Sequence, residues 1–303
     1  MASNDVRQWR TATLSSLVPP GKPIRVVHGN TELVLFREAD GRCRALVDRC
    51  AHRRAALSGG RLTDQFAIEC PYHGWRYNGA TGACVAIPNL RADEKIPKNY
   101  RVQSFETLER DGFIQILMGT GDTSAEPNDV AVPILDRQWE GERYLAYPEV
   151  LFMDTLADSP SAILEISGLR IRDDHPIGDP VVTGDQISIE YAADRIRSAS
   201  LHAEHVVEDF RYTVRISATK SAARITVIDN DTAEVRATAL IVAVPTGARL
   251  TRALWRGAEA ASSATSFTIE CREHVEPTPV RAATNVVSRI WARTPPPVAA
   301  EQS

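Results

Sequence analysis

Two short segments constrain this chain more than any other feature: Cys50-Ala51-His52 and Cys70-Pro71-Tyr72-His73-Gly74-Trp75, with residues 53–69 between them. Each offers one thiolate and one imidazole. Two Cys and two His suit a [2Fe–2S] cluster in which one iron takes both sulfurs and the other both imidazoles. Neutral ligands on one iron leave the reduced cluster less negative and raise its potential. The same four residues could also hold tetrahedral zinc. Zinc fingers, however, usually separate a Cys pair from a His pair, whereas here each segment carries one of each. Pro71 and Gly74 shape the second segment as a tight loop, which argues against four unrelated core residues.

A chain of 303 residues is long enough for two domains with separate cores. The net charge of −4 gives no reason to expect nucleic acid or an anionic membrane as partner. The opening MASNDVRQWR lacks the apolar core of a signal peptide, and no apolar run approaches membrane-spanning length. Beyond the two cysteines above, Cys43, Cys84 and Cys271 fall in no framework pattern, which fits free thiols in a reducing cytoplasm.

In chain order, Arg7–Leu17 opens towards a turn at Pro19-Pro20-Gly21. Short strands are then expected at Ile24–Val27, Glu32–Arg37 and Arg44–Val47, split by Gly29-Asn30 and Asp40-Gly41. Phe66–Glu69 leads into the second Cys/His segment and Trp75–Tyr77 leaves it, and further short strands are expected at Ala83–Ile87, Arg101–Thr107 and Gly112–Leu117. This spacing predicts a small antiparallel β domain over residues 1–118. Residues 119–133, rich in Gly, Asp, Ser, Thr and Pro, read as a linker to a second domain over 134–303. There, strands are expected at Tyr144–Asp154, Ile187–Tyr191, Phe210–Ala218, Ala223–Asp229, Glu234–Val244 and Ser266–Arg272. Helices are expected at Ser159–Ser167, which has a Ser-Pro start, and at Val280–Trp291.

From about Trp9 to Gly119 the chain resembles the N-terminal domain of the Rieske non-heme iron oxygenases. The matching pieces are Gly21-Lys22-Pro23, Leu35-Phe36-Arg37, the Cys-X-His and Cys-X-X-His-Gly-Trp loops, Tyr77, Ile87-Pro88 and Asp111-Gly112-Phe113. Rieske proteins of cytochrome complexes add a loop-bridging disulfide, but Ala55 and Tyr72 stand in those places here. The resemblance implies Cys50, His52, Cys70 and His73 as ligands of a [2Fe–2S] cluster. It also implies an α+β chain in which the small antiparallel β domain precedes a helix-grip, START-like antiparallel-sheet domain.

In that family the second domain holds a mononuclear iron(II) with two His and one carboxylate, leaving positions open for dioxygen. The histidines normally follow an Asp-X-X-His-X-X-X-X-His pattern. In the matching stretch Asp158 fits the bridging aspartate, but the histidine positions hold Ser161 and Ile166. A hydroxyl and an alkyl chain cannot replace two imidazoles on ferrous iron. Val280–Trp291 contains no Asp or Glu to supply the carboxylate. Mononuclear iron is therefore expected to be absent. His202, His205 and Asp209 are the concentrated alternative set; they would share a face on a helix but not on a strand. His175 sits in a turn-like Arg-Asp-Asp-His-Pro, and His28 and His274 are isolated.

Two functional readings follow. In the first, the chain is a Rieske subunit that relays electrons to a catalytically complete oxygenase paralogue and supports it in a trimer-based hetero-oligomer, without turnover alone. In the second, it is a monooxygenase or demethylase whose iron is held by unusual ligands around His202 and His205. Either implies a ferredoxin or flavin reductase as electron donor. Arg49, Arg53, Arg54, Arg61 and Arg76 could attract such an acidic partner, seat the loops against a neighbouring subunit, or simply be solvated.

Overall fold

A computed structural model describes residues 7–63, 67–91, 93–120, 136–196, 207–260 and 266–272. The chain divides into two compact units, Met1–Asp129 and Val130–Ser303.

The first unit is built from short antiparallel strands: β1 (Gln8–Leu14), β2 (Ile24–His28), β3 (Thr31–Arg37), β4 (Cys43–Val47), β5 (Arg61–Leu62), β6 (Ile68–Glu69), β7 (Arg76–Tyr77), β8 (Cys84–Ala86), β9 (Ser104–Phe105), β10 (Thr107–Arg110) and β11 (Phe113–Met118). They form sheets ordered β1-β11-β10, β2-β3-β4-β9 and β5-β6-β7-β8. Strand β3 is the divider. Successive side chains on a strand point to opposite faces, so Val34 and Phe36 join an apolar cluster with Leu46, Leu57, Ile68, Trp75 and Tyr77. Leu33 and Leu35 join a second cluster with Ala12, Val26, Ile114 and Ile116. The first of these clusters also contains Cys50 and Cys70.

The second unit comprises β12 (Arg137–Leu145), α1 (Glu149–Asp158), α2 (Pro160–Ile163), β13 (Leu164–Ile166), β14 (Leu169–Pro176), β15 (Val181–Thr183), β16 (Gln186–Ile196), β17 (Val207–Ala218), β18 (Ala222–Asp229), β19 (Val235–Gly247), β20 (Leu250–Glu259) and β21 (Ile269–Cys271). Among the described residues these strands form one antiparallel sheet, ordered β12-β20-β19-β18-β17-β16-β14-β13-β21, with β15 paired to β16. The two edge strands approach each other through side chains: Trp139 Nε1 donates to the Ile269 carbonyl at 3.1 Å and Arg143 to that of Cys271 at 2.7 Å. The sheet is thereby almost a barrel. Two cross-strand pairs set Trp139 over Gly257 and Trp255 over Gly141, where an added Cβ would meet indole carbons at 2.3 and 2.5 Å. Phe152, Met153, Leu156 and Ala157 lie on the side of α1 that packs into the sheet's apolar core. An antiparallel β unit followed by a helix-bearing antiparallel sheet is the α+β architecture expected from the resemblance.

Two expectations fail here. Tyr144–Asp154 is not a strand: β12 stops at Leu145 and α1 begins at Glu149, directly after Pro148. Ser159–Ser167 is not one helix. Pro160 does start α2, but the helix ends at Ile163, and Leu164–Ile166 pairs with β21 instead. The expected helix Val280–Trp291 lies outside the described residues.

Candidate iron–sulfur site

The two Cys/His segments fold alike, and the backbone explains why. In the first, the Cys50 amide donates to the Ala55 carbonyl at 2.8 Å and the Arg54 amide returns to the Cys50 carbonyl at 3.0 Å. In the second, the Cys70 amide donates to Trp75 at 2.8 Å and the Gly74 amide to Cys70 at 3.1 Å. Each loop closes through a residue in the left-handed region, Arg54 at φ 61° and Gly74 at φ 69°. Gly74 adopts that conformation without strain, whereas Arg54 carries a cost of about 1 kcal/mol. Asp48, buried at the end of β4, anchors the first loop by accepting from the Ser58 amide and hydroxyl at 2.7 and 2.6 Å.

The loops bring the four residues together as two chemically different pairs. Cys50 and Cys70 are buried at the apolar floor, whereas His52 and His73 are exposed, with ring centroids 4.7 Å apart. Burial pushes the Cys70 thiol pKa up, opposed by the backbone amides of Tyr72 and His73 beside its sulfur. Desolvation, then His73 and Arg53, lower the His52 pKa and favour the neutral imidazole that binds metal. Among the described residues no three His, Cys, Asp or Glu side chains converge on one ion. The separate thiol and imidazole pairs agree with a cluster in which each iron takes two protein ligands. Buried sulfurs under exposed imidazoles therefore fit a [2Fe–2S] group whose histidine edge faces solvent.

Three neighbours of the loops were not evident from residue types. The Trp75 indole stacks on His52 at 4.7 Å between centroids and 5° between planes, and Tyr100 lies 5.1 Å from Trp75 on a tilted plane. Tyr77 Oη lies 3.0 Å from Cys50 Sγ and accepts from the Ala51 amide at 3.1 Å. Both aromatics stand in the family motif quoted above, and positions 75 and 77 lie on one face of an extended segment, where both are buried. The third neighbour is Glu69, directly opposite Arg61 and Arg76 across β5, β6 and β7. It accepts from Arg61 Nε at 2.8 Å and Arg76 Nε at 2.6 Å. Of the five loop arginines, these two are thus ion-paired to Glu69, and Arg49 lies 3.7 Å from Glu32. Arg53 and Arg54 are exposed and have no ion-pair partner among the described residues.

Glu69 precedes Cys70, so its ionisation couples to the second loop. Arg76, then Arg61, hold its carboxyl pKa below the ordinary 4.5. A depressed carboxyl pKa contributes stability above the unfolded value and loses it as pH falls through the folded value. Glu69→Gln should therefore lower the temperature at which the cluster chromophore bleaches at pH 7 by a few degrees. It should also flatten the loss of that temperature below about pH 4.5, because the removed group no longer titrates. An unchanged acid profile in a thermal-bleaching series would contradict this assignment.

In the second unit, Asp158, Ser161 and Ile166 lie on three successive elements. Ser161 lies on α2, and Ile166 lies on β13, 6% exposed within the apolar core. Asp158 ends α1 with Oδ2 buried and without a hydrogen-bond partner. Burial, and next Asp154 one turn earlier, raise its pKa to about 7. His202 and His205 lie outside the described residues, and Asp209 lies on strand β17 rather than on a helix shared with them. His28 is half-buried on β2; desolvation, then Arg10, lower its pKa to about 4.

Comparison with known proteins agrees with this geometry. Residues 8–106 match the Rieske [2Fe-2S] domain family. The chloroplast protein TIC 55 of Arabidopsis thaliana is 36% identical over 126 residues, covering 42% of this chain and 22% of that protein. The oxygenase subunit of 3-chlorobenzoate-3,4-dioxygenase from Comamonas testosteroni is 30% identical over 226 residues, 68% of this chain and 48% of the relative. The chain thus spans less than half the length of both curated relatives. Among solved structures, dicamba monooxygenase superimposes with a TM-score of 0.61 at 23% identity, over 84% of this chain and 76% of that one, which shows a shared fold. No helix among the described residues is long and apolar enough to cross a membrane. With its paired Cys/His loops and homology running on into the second unit, this chain has a Rieske [2Fe-2S] domain and is homologous to the oxygenase subunits of the Rieske non-heme iron oxygenases.

Proposed function

We propose that the chain is an electron-relay subunit: it accepts electrons at its Rieske cluster and passes them to a catalytically complete oxygenase paralogue that it also supports in a hetero-oligomer. The proposal takes Cys50, His52, Cys70 and His73 as the cluster ligands. The observation that carries it is the pairing of a complete set of cluster-type residues with Ser161 and the core residue Ile166 at the motif positions of the second unit. The cluster, when bound, supplies one-electron transfer. The residues of this chain bury the sulfurs, leave the His52 and His73 edges open to a partner, and hold the cations of Arg53 and Arg54 beside that opening. A ferredoxin or flavin reductase with an acidic face is the donor those charges favour, mainly through faster encounter. A cytoplasmic location is consistent with three buried cysteines, Cys43, Cys84 and Cys271, left as free thiols beside the two cluster ligands.

The test is iron and acid-labile sulfide per chain after anaerobic purification, with electron paramagnetic resonance of the reduced protein. About two irons and about two sulfides with a Rieske-type signal are expected. A third, non-cluster iron would overturn the relay reading in favour of an active monooxygenase or demethylase, and would direct mutagenesis to His202, His205 and Asp209.

A further inference from the structure

We infer that Arg54 is a specificity-determining contact for the electron donor: the first ligand loop holds this arginine in the left-handed region so that its guanidinium meets a carboxylate of an acidic partner. The inference rests on the relay reading above, in which the cluster takes electrons from a separate protein. Its starting point is a difference between two loops that otherwise fold alike. Arg54 and Gly74 occupy equivalent places, each returning its amide to the loop cysteine, and each has a positive φ, 61° and 69°. Glycine adopts that conformation freely, whereas a residue with a Cβ is strained by it. Packing also favours glycine at position 74, where an added Cβ would stand 2.9 Å from Pro88 Cγ. No contact within the described fold accounts for arginine at position 54. Its side chain is exposed and has no hydrogen-bond or ion-pair partner among the described residues. Strain kept without an internal partner points to a contact outside the chain.

The surroundings define the chemistry of that contact. Arg49, Arg61 and Arg76 are already ion-paired to Glu32 and Glu69, which leaves Arg54 and its neighbour Arg53 as the cations open to a partner. His52, two residues before Arg54, is exposed, as is His73. Tyr72 is 63% exposed, with its ring 3.8 Å from that of His73. An exposed aromatic ring and two imidazoles beside two open guanidinium groups fit a small acidic redox protein. Its carboxylates would take the arginines at the rim, in the bidentate geometry that guanidinium offers, while the less polar centre of the contact meets the rings. In the transfer one electron leaves the donor's cofactor, which is oxidised, and enters the cluster, which is reduced; no covalent bond forms or breaks. A rim charge acts mainly on the rate of encounter, and salt screens its effect.

The experiment follows reduction of the cluster-loaded full chain by a reduced plant-type [2Fe–2S] ferredoxin, an acidic probe, for wild type, Arg54→Gly and Arg54→Lys. At an ionic strength of about 0.01 M, Arg54→Gly should be reduced roughly fivefold more slowly than wild type. At about 1 M, where the screening length falls from about 30 Å to about 3 Å, the difference should shrink below about twofold. Binding of oxidised ferredoxin, measured as a dissociation constant, should weaken in step. Arg54→Lys keeps the charge and should keep most of the rate. Reduction by the methyl viologen radical, a small cation, should not slow in Arg54→Gly. Thermal bleaching gives a readout of opposite sign: Arg54→Gly removes the left-handed strain and should bleach at the wild-type temperature or a few degrees above it. A lower bleaching temperature or an unassembled cluster in Arg54→Gly would make Arg54 a packing residue and overturn the inference. An unchanged ferredoxin rate would overturn it too; with a changed oligomeric state by sedimentation, the cation would belong to a subunit contact instead. Failure of the relay reading is separable: a third, non-cluster iron would overturn that reading and leave the ferredoxin comparison intact.

Discussion

Cys50→Ser is expected to remove the reduced Rieske signal and to bring bound iron and acid-labile sulfide close to zero. Cys50 is buried at the apolar floor of the site, 2% exposed, where a serine hydroxyl would stay protonated and bind iron weakly. His73→Ala should have the same effect, because it strips one of two neutral ligands from the outer iron. Binding free energy at such a site is also folding free energy, so both variants should melt at lower temperature than the loaded wild type. The informative control is Cys84→Ser. Cys84 lies in the same apolar cluster, and burial pushes its thiol pKa up to about 11. Its sulfur lies 3.6 Å from the Ala86 carbonyl. It should lose little or no iron. A normal cluster in Cys50→Ser or His73→Ala, by spectrum and iron content, would refute the ligand assignment.

The second large effect is expected at Gly60, away from the ligands themselves. Its φ of −89° is open to any residue, so backbone conformation is not the obstacle. Space is: an added Cβ would stand 2.0 Å from the Glu69 carbonyl oxygen and 3.0 Å from that of Leu57. Both contacts are backbone, and neither can rotate away. Gly60→Ala must separate the chain after the first ligand loop from the strand that delivers Cys70. A forced backbone shift in a packed site costs about 3 kcal/mol or more. In a domain of this size that is a fall of roughly 12 °C or more in the bleaching temperature. Gly29→Ala is the comparison. Gly29 has φ +59° but nothing within 4 Å of its Cβ position, so it should cost only about 1 kcal/mol. Equal effects of the two substitutions would show that the close approach at Gly60 is not what holds the loops in register.

The ligand segments were legible because they are local. Cysteine, histidine, proline and glycine within six residues specify both the chemistry and the loop, whatever surrounds them. The short apolar run of β3 was readable as a strand between two turn signals, although its two faces serve two cores. Other elements misled for identifiable reasons. The run Tyr144–Asp154 is rich in aromatic and branched residues and reads as a strand, but Pro148 ends the extended segment and α1 then buries its apolar face on the sheet. Strand β20 was missed entirely. Buried on both faces from Thr251 to Trp255, it has no period-two pattern to detect. Residues Leu164–Ile166 continue a helical start yet become a strand because Ile269–Cys271, far along the chain, offers them a pairing edge.

By itself, the sequence determined the paired Cys/His pattern of a Rieske [2Fe–2S] domain and the identities of Ser161 and Ile166 in the second unit. These are matters of residue identity, and no fold can add a nitrogen to isoleucine. Only the tertiary structure decided which groups surround those donors. It put a phenol against Cys50, an indole against His52, and one carboxylate between two of the five loop arginines while leaving Arg53 and Arg54 exposed. The physical reason is that hydrogen bonds and ion pairs reach only a few ångströms in directions set by the backbone. Strand pairing between segments distant in sequence sets those directions, and residue types alone do not encode them.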